Sequence, residues 1–269
     1  MGMRVLALGA IGTAAAVAAW AGVTAARGLH DRWGIDPAAS GRPMPGDDLV
    51  ADTDAVDTRV IDIDAPVERV WPWLVQMGYG RAGWYSYDAL DMDEPSALAI
   101  EERWQSLAEG DIMPTHPGGG FVVKVFDAPQ AMVLYLDRAI VEEQERAARE
   151  ANSTGPSGID AAPANVRATS AYLGQAVKGD FAASWAFVLE PREAGGTRLI
   201  ERFRVRMEAP GKAERFMRLA RGLLGFGVFV MTRRHMLGIK DRAEGRFGPP
   251  RRSFPIHPGE HPAPQPAPG

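Results

Sequence analysis

Apolar and polar positions follow different rhythms along this chain. From Val5 to Ala26 no charged residue occurs. A run of that length can cross a bilayer as a helix, which takes roughly 20 apolar residues. Residues 33–57, with "DPAASGRPMPGDD", are rich in Pro, Gly and Asp and show no apolar period, so they read as a linker. At Thr58 the pattern changes. "TRVIDIDAP" alternates apolar and polar residues and predicts a strand. Pro66 then stands near the first position of a helix, where its missing N–H is harmless. Val67, Val70, Trp71, Leu74 and Val75 follow at i, i+3, i+4, i+7 and i+8, one helical face. Pro72 lies inside that helix and is expected to kink it, and Gly78 and Gly80 end it.

Next comes an aromatic loop, "GRAGWYSYDALD", leading into a short helix. "FVVKVF" and "AMVLYLD" predict two strands joined at "DAPQ". "FAASWAFVLEP" and "GTRLIERFRVRME" predict two more, joined at the hairpin signal "REAGG". Between the pairs, residues 142–177 are polar and small; they predict a mobile insertion with a helical turn at its start. A long helix is predicted from about Gly211 to Gly245. Its centre, "GLLGFGVFVM", is apolar all round and so buried on more than one side. Gly222, Gly225 and Gly227 leave room there for a backbone or a ligand. Residues 248–269 form a Pro-rich tail that reads as disordered. Strand, short helices, antiparallel strands and one long helix make an α+β order. The expected architecture is a curved antiparallel sheet wrapped around the C-terminal helix, over residues 58–247.

Composition narrows the function. The 269 residues carry a net charge of -4, which gives no general attraction to nucleic acid. There is no cysteine, so disulfides, thiolate metal sites and cysteine nucleophiles are excluded. The five histidines show no metal-ligand spacing, so neither a metal nor a cofactor is expected. Residues 1–32 are read as an uncleaved single-pass anchor; the rival reading is a cleaved signal peptide and a secreted domain. Arg4 on one side and Arg27 and Arg32 on the other balance, so the span has no assigned direction.

Several stretches resemble a known family. "TRVIDIDAPVERVWPWLVQMGYGRAGWYSYDALD" is similar to the first strand, first helix and following loop of helix-grip proteins of the SRPBCC superfamily, the START-like group with its polyketide cyclase/dehydrase and lipid-transport members. "WQSLAEGD", "GGGFVV", "SWAFVLEP" and "GGTRLIERFRVR" resemble later strands of bacterial members. Those often carry a short membrane segment before a stretch similar to Arg32-Trp33-Gly34. The resemblance implies a helix-grip fold in a membrane-anchored protein. It leaves the activity open, because this superfold hosts carriers, sensors and cyclases.

A straight helix cannot meet a curved sheet everywhere, so a gap of roughly 300–1,000 Å³ is expected between them. Leu223, Gly227 and Met231 would line it from the helix, and Phe121, Trp185 and Phe203 from the sheet. Trp84, Tyr85 and Tyr87 would stand at its mouth, rings with polar tips that suit an amphipathic ligand. Asp88, His116 and Arg202 are the polar candidates; the bland reading of the Arg202, Arg204, Arg206 ladder is a solvated outer face. His116 near Asp111, or His235 beside Arg233 and Arg234, could serve as general acid or base, although none has a paired nucleophile. Gly118, Gly119 and Gly120 read as a turn and not as a phosphate cradle. The expected function is binding or transport of an apolar, lipid-like molecule by a monomer at a membrane surface. The alternatives are a cyclase or dehydratase using the same cavity, and a ligand-free interaction module.

Overall fold

The computed structural model describes residues 33–34, 41–92, 94–152, 158–167, 180–207 and 213–246, and the side chains of 213–226 lie outside that description. The Val5–Ala26 run and the 248–269 tail lie outside the described residues. Among the described residues no helix is long and apolar enough to cross a membrane.

Among the described residues six strands form one antiparallel sheet: β1 (Ala55–Ile63), β2 (Ile112–His116), β3 (Gly119–Asp127), β4 (Ala131–Asp137), β5 (Phe181–Pro191) and β6 (Thr197–Met207). Their order is β1-β6-β5-β4-β3-β2. Every alternating stretch of the sequence became a strand. The additional one, β2, contains Pro114, which hides its alternation. A proline is tolerated there because β2 is an edge strand and its other side needs no N–H. Register shifts between Pro114 and His116 and between Val123 and Val125 bend that side of the sheet. In the β5–β6 hairpin, Gly195 and Gly196 both take positive φ, which the turn needs.

Helix α1 (Val67–Val75) continues through Pro72 and buries Val67, Val70, Trp71, Trp73, Leu74 and Val75. Helix α2 (Arg138–Ala151) begins at Asp137, whose side chain accepts from Ile140 N at 2.8 Å. Helix α3 (Ala213–Ala243) matches the expected long helix. Met236, Ile239 and Ala243 of α3 are fully buried in the core that α1 and the sheet complete. Near its end Lys240 Nζ donates to Asp62 O, and Glu244 accepts from Asp64 N, tying the helix to the end of β1.

Two sequence expectations need correction. The segment read as a linker is folded from residue 41 onward. A 3-10 turn at Asp47–Val50 lies on the outer face of the sheet, where Met44 joins Val60, Ile200 and Val188 in a second small core. Gly46 has φ +81, and a Cβ there would stand 2.4 Å from Val133 Cγ1, so glycine is what fits. No local period reveals this, because the apolar partners lie on strands far away in sequence. The expected mobile insertion also carries structure. Its first residues, through Ala151, continue the 14-residue α2 that begins at Arg138. Gln144 donates to Gly120 O and accepts from Gly120 N. Ala162 and Val166 are buried in the main core.

Candidate functional site

The register fixes which side chains face α3. On β5, Trp185, Phe187 and Leu189 point inward, opposite Phe203, Glu201 and Leu199 of β6. Arg59 and Ile61 of β1 stand beside Glu201 and Leu199. Leu134 pairs with Trp185, and Val123 with Leu134, which puts Phe121 on the same face. One end of this face is dry, since Ile63, Phe187 and Leu199 have no exposure. At the other end Trp185, Phe121 and Phe203 are only half-buried.

Trp185 is the centre of that second end. Trp84 stacks on it at 5.5 Å between ring centroids, and Phe187, Phe121 and Phe203 lie at 5.0, 5.9 and 6.3 Å. Its Nε1–H donates to Glu201 Oε1 at 2.9 Å. Glu201 is 1% exposed, and its Oε2 has no hydrogen-bond partner among the described residues. Burial raises its carboxyl to about 7, against the opposing pull of the Arg59 cation. Arg59 is fully buried, pairs with Asp57 at 2.9 Å and sits over the Phe229 ring.

His235 enters from α3, with its ring 5.9 Å from both Trp185 and Phe187. Its Nδ1 is 2.5 Å from Trp84 O, a contact that requires the proton on Nδ1. Burial lowers its pKa to about 4, so at neutral pH the ring is uncharged and Nε2 is a bare acceptor. Nε2 too is buried with no partner among the described residues. The site thus offers an aromatic wall, one carboxyl oxygen and one imidazole nitrogen. No group of three or more potential metal ligands occurs among the described residues.

The expected pocket residues divide. Trp84, Trp185, Phe121 and Phe203 come together. Tyr85 does not stand at a mouth: it is buried, its hydroxyl donates to Trp73 O, and Arg242 lies over its ring. Tyr87 is exposed. Asp88 accepts from Ser96 N and Oγ and closes the loop around Tyr85. Beside it, burial lifts the carboxyl of Asp91 to about 7. Arg202 lies on the opposite face of the sheet, bound to Asp47, Thr58 Oγ1 and Arg42 O. Its strand parity excludes it from the aromatic face, and Arg204 is likewise bound to Val50 O. His116 lines a cavity of about 50 Å³ with Gln144 and Ile159, away from Trp185. Asp111 accepts from Ala108 N in a turn. Gly227 and Met231 are half-buried on α3, and the Leu223 side chain lies outside the described residues. An open groove of about 660 Å³ runs between α1 and Leu98–Ile100, lined by Trp73 and Arg242. Neither void is the gap expected beneath α3.

Glu201 and Arg59 were missed, though the signal was present. In "TRLIERFRV" Glu201 shares its parity with Leu199 and Phe203, which marks it as an inward carboxylate. On α3 a close approach is made at Gly238, where a Cβ would lie 2.2 Å from Tyr85 O.

No family model and no curated protein matches the chain. Three solved structures show a distant likeness. A protein from Arthrobacter aurescens, solved by solution NMR, is 14% identical with a TM-score of 0.36, over 79% of this chain and 99% of its own. The di-domain ARO/CYC BexL from the BE-7585A biosynthetic pathway is 16% identical with a TM-score of 0.35, over 73% of this chain and 53% of its own. An uncharacterised protein from Rhizobium leguminosarum is 13% identical with a TM-score of 0.24, over 65% and 93%. Likeness at that level is too loose to bear on a site or an activity.

Proposed function

We propose that this chain is a helix-grip protein of the SRPBCC kind that binds an apolar or amphipathic small molecule between α3 and the aromatic end of the sheet. One observation carries the reading. Trp185, Phe121 and Phe203 face inward yet are only half-buried, while Phe187 and Leu199 on the same face are sealed. Large apolar surface on the inner side of a two-layer fold is left reachable where something else covers it. In the same proposal the Val5–Ala26 run holds a monomer at a membrane and raises the local concentration of an apolar cargo. A rival use of this space, acid–base chemistry of the cyclase or dehydratase type, draws on Glu201 and His235, which flank one indole.

The test is a thermal-shift and indole-fluorescence screen of the full-length chain with fatty acids, isoprenoids and polyaromatic compounds. A true ligand at a hundredfold excess over its dissociation constant stabilises the fold by about 2.7 kcal/mol and perturbs Trp185 fluorescence. A screen in which no compound does either overturns the reading. Conversion of a bound compound to a new product would favour the enzyme.

A further inference from the structure

We propose that the open groove between α1 and Leu98–Ile100 is a docking site for this chain's own proline-rich C-terminal tail, with residues Phe247 to Pro258 lying along it. The groove is separate from the aromatic end of the sheet, and none of the rings around Trp185 lines it.

The walls of the groove are fixed before anything fills it. Pro72 and Trp73 of α1 line one side, and Leu98 and Ile100 the other. Polar bonds pin that second side. The buried Gln76 side chain donates to Ala99 O and accepts from Glu101 N, and Arg242 Nε donates to Ala97 O at 2.8 Å. Leu98 is nevertheless 64% exposed and Ile100 37%. Apolar side chains held open to water beside a tryptophan suit an apolar segment that covers them.

The path of the chain names the occupant. Arg242, in the last turn of α3, lines the groove. Gly245 then ends the helix at φ +72, with Gly245 N donating to Arg242 O and Arg246 N to Asp241 O, a cap that reverses the chain. Residue 247 therefore starts within about one helical turn of the groove's own wall. The sequence from there, "FGPPRRSFPIHP", combines prolines with Phe247, Phe254 and Ile256. Proline-rich segments enter aromatic-lined grooves as polyproline helices, whose shape costs little entropy to fix. At roughly 3.1 Å per residue, Phe247 to Ser253 reaches about 20 Å, enough to run along the groove. A short tether also gives the tail an effective concentration on the order of millimolar, which no second copy matches. An anionic bilayer would meet a rim of mixed sign, Glu68 with Arg69 and Arg242.

The chain contains no cysteine, so an introduced pair reports position without background. Full-length L98C/S253C is compared under mild oxidation with A147C/S253C, whose first cysteine stands at an exposed position of α2. The first is expected to form its disulfide within one chain at least tenfold faster than the second. A chain ending at Arg246 should bind a peptide of residues 247–258 at least tenfold more tightly than the full-length chain, whose own tail competes. L98E should abolish that binding, and Leu98 is exposed enough for the fold to survive the change. If the shortened chain does not fold, the linking rates decide. Equal linking rates, or a peptide that binds both lengths alike or neither, overturn the proposal. A disulfide that forms only between two chains gives the groove to the tail of a second copy and overturns it too. So does a fluorescent dye on L98C that responds to phosphatidylcholine vesicles equally with and without the tail, since that gives the groove to a membrane.

Discussion

The inner face of the sheet is built by the same strands along its whole length, yet its two ends differ. At one end Ile63, Phe187 and Leu199 meet Met236 and Ile239 with no exposure. Two and four residues further along β6 the same face carries Glu201 and half-buried Phe203, two residues earlier on β5 half-buried Trp185, and α3 supplies His235. The first end is interdigitated apolar packing, where each lost methylene is felt. The second holds Arg59, Glu201 and His235 out of water, which costs stability unless each is paired. Here Glu201 and His235 stand beside Trp185, which is itself only half-buried.

The comparison can be broken most sharply at its polar centre. Arg59→Ala leaves Glu201 and Asp57 without their shared cation and should cost about 4 kcal/mol in urea unfolding. A loss below 1 kcal/mol would mean that the buried cation is dispensable.

The next largest effect is in pH. His235 titrates near 6.5 in the unfolded chain and at about 4 when folded. The unfolded chain therefore binds the extra proton, and stability is lost as pH falls from about 6.5 to 4, by about 3 kcal/mol in all. Glu201 is the opposite case, about 7 when folded against 4.5. Its contribution is present below 4.5 and is lost as pH rises through 7, again by about 3 kcal/mol. In the parent the two slopes oppose each other. H235F should gain on the parent as pH falls below 6.5, and E201Q should gain as pH rises toward 7. Parallel curves for parent and variants would show that neither group titrates as its burial requires.

A smaller contrast separates the two ends directly. Leu199→Ala, at the sealed end, should cost about 3 kcal/mol. Phe203→Ala, on a half-buried ring, should cost about 1 kcal/mol in the absence of ligand. Equal losses would mean that the face is uniformly packed after all. At the bottom of the scale, Arg146→Ala removes the exposed ion pairs to Glu143 and Glu150 on α2 and should not move the melting temperature measurably.

Strand and helix periods were legible because they are local. "AMVLYLD" and "FAASWAFVLEP" are short apolar runs bounded by turn signals and became β4 and β5 as they stand, and the predicted α3 ended within two residues of its observed bounds. Phe121, Trp185 and Phe203 met for the same reason, being large apolar side chains at inward strand positions, and Trp84 joins them from the loop after α1. The failures were failures of partner. Arg202 and Glu201 are neighbours in sequence and both charged, yet one faces Asp47 on the outer side and the other faces the indole. Only the strand register separates them, and the register is fixed by pairing with β1 and β5. Segment 41–51 reads as a loop by composition and is one, but it closes the outer face because Val60 and Ile200 are there to be covered.

By itself, then, the order of residues determined the α+β class, the strands that alternate, the long closing helix and an aromatic-rich interior, since each follows from local propensity and period. Tertiary structure alone decided which charged groups were drawn inside, that His235 is neutral with Nε2 bare, and that Trp185 and Phe203 are half-buried while Phe187 and Leu199 are sealed. Those properties depend on desolvation and on neighbours more than a hundred residues away, and no local pattern encodes either.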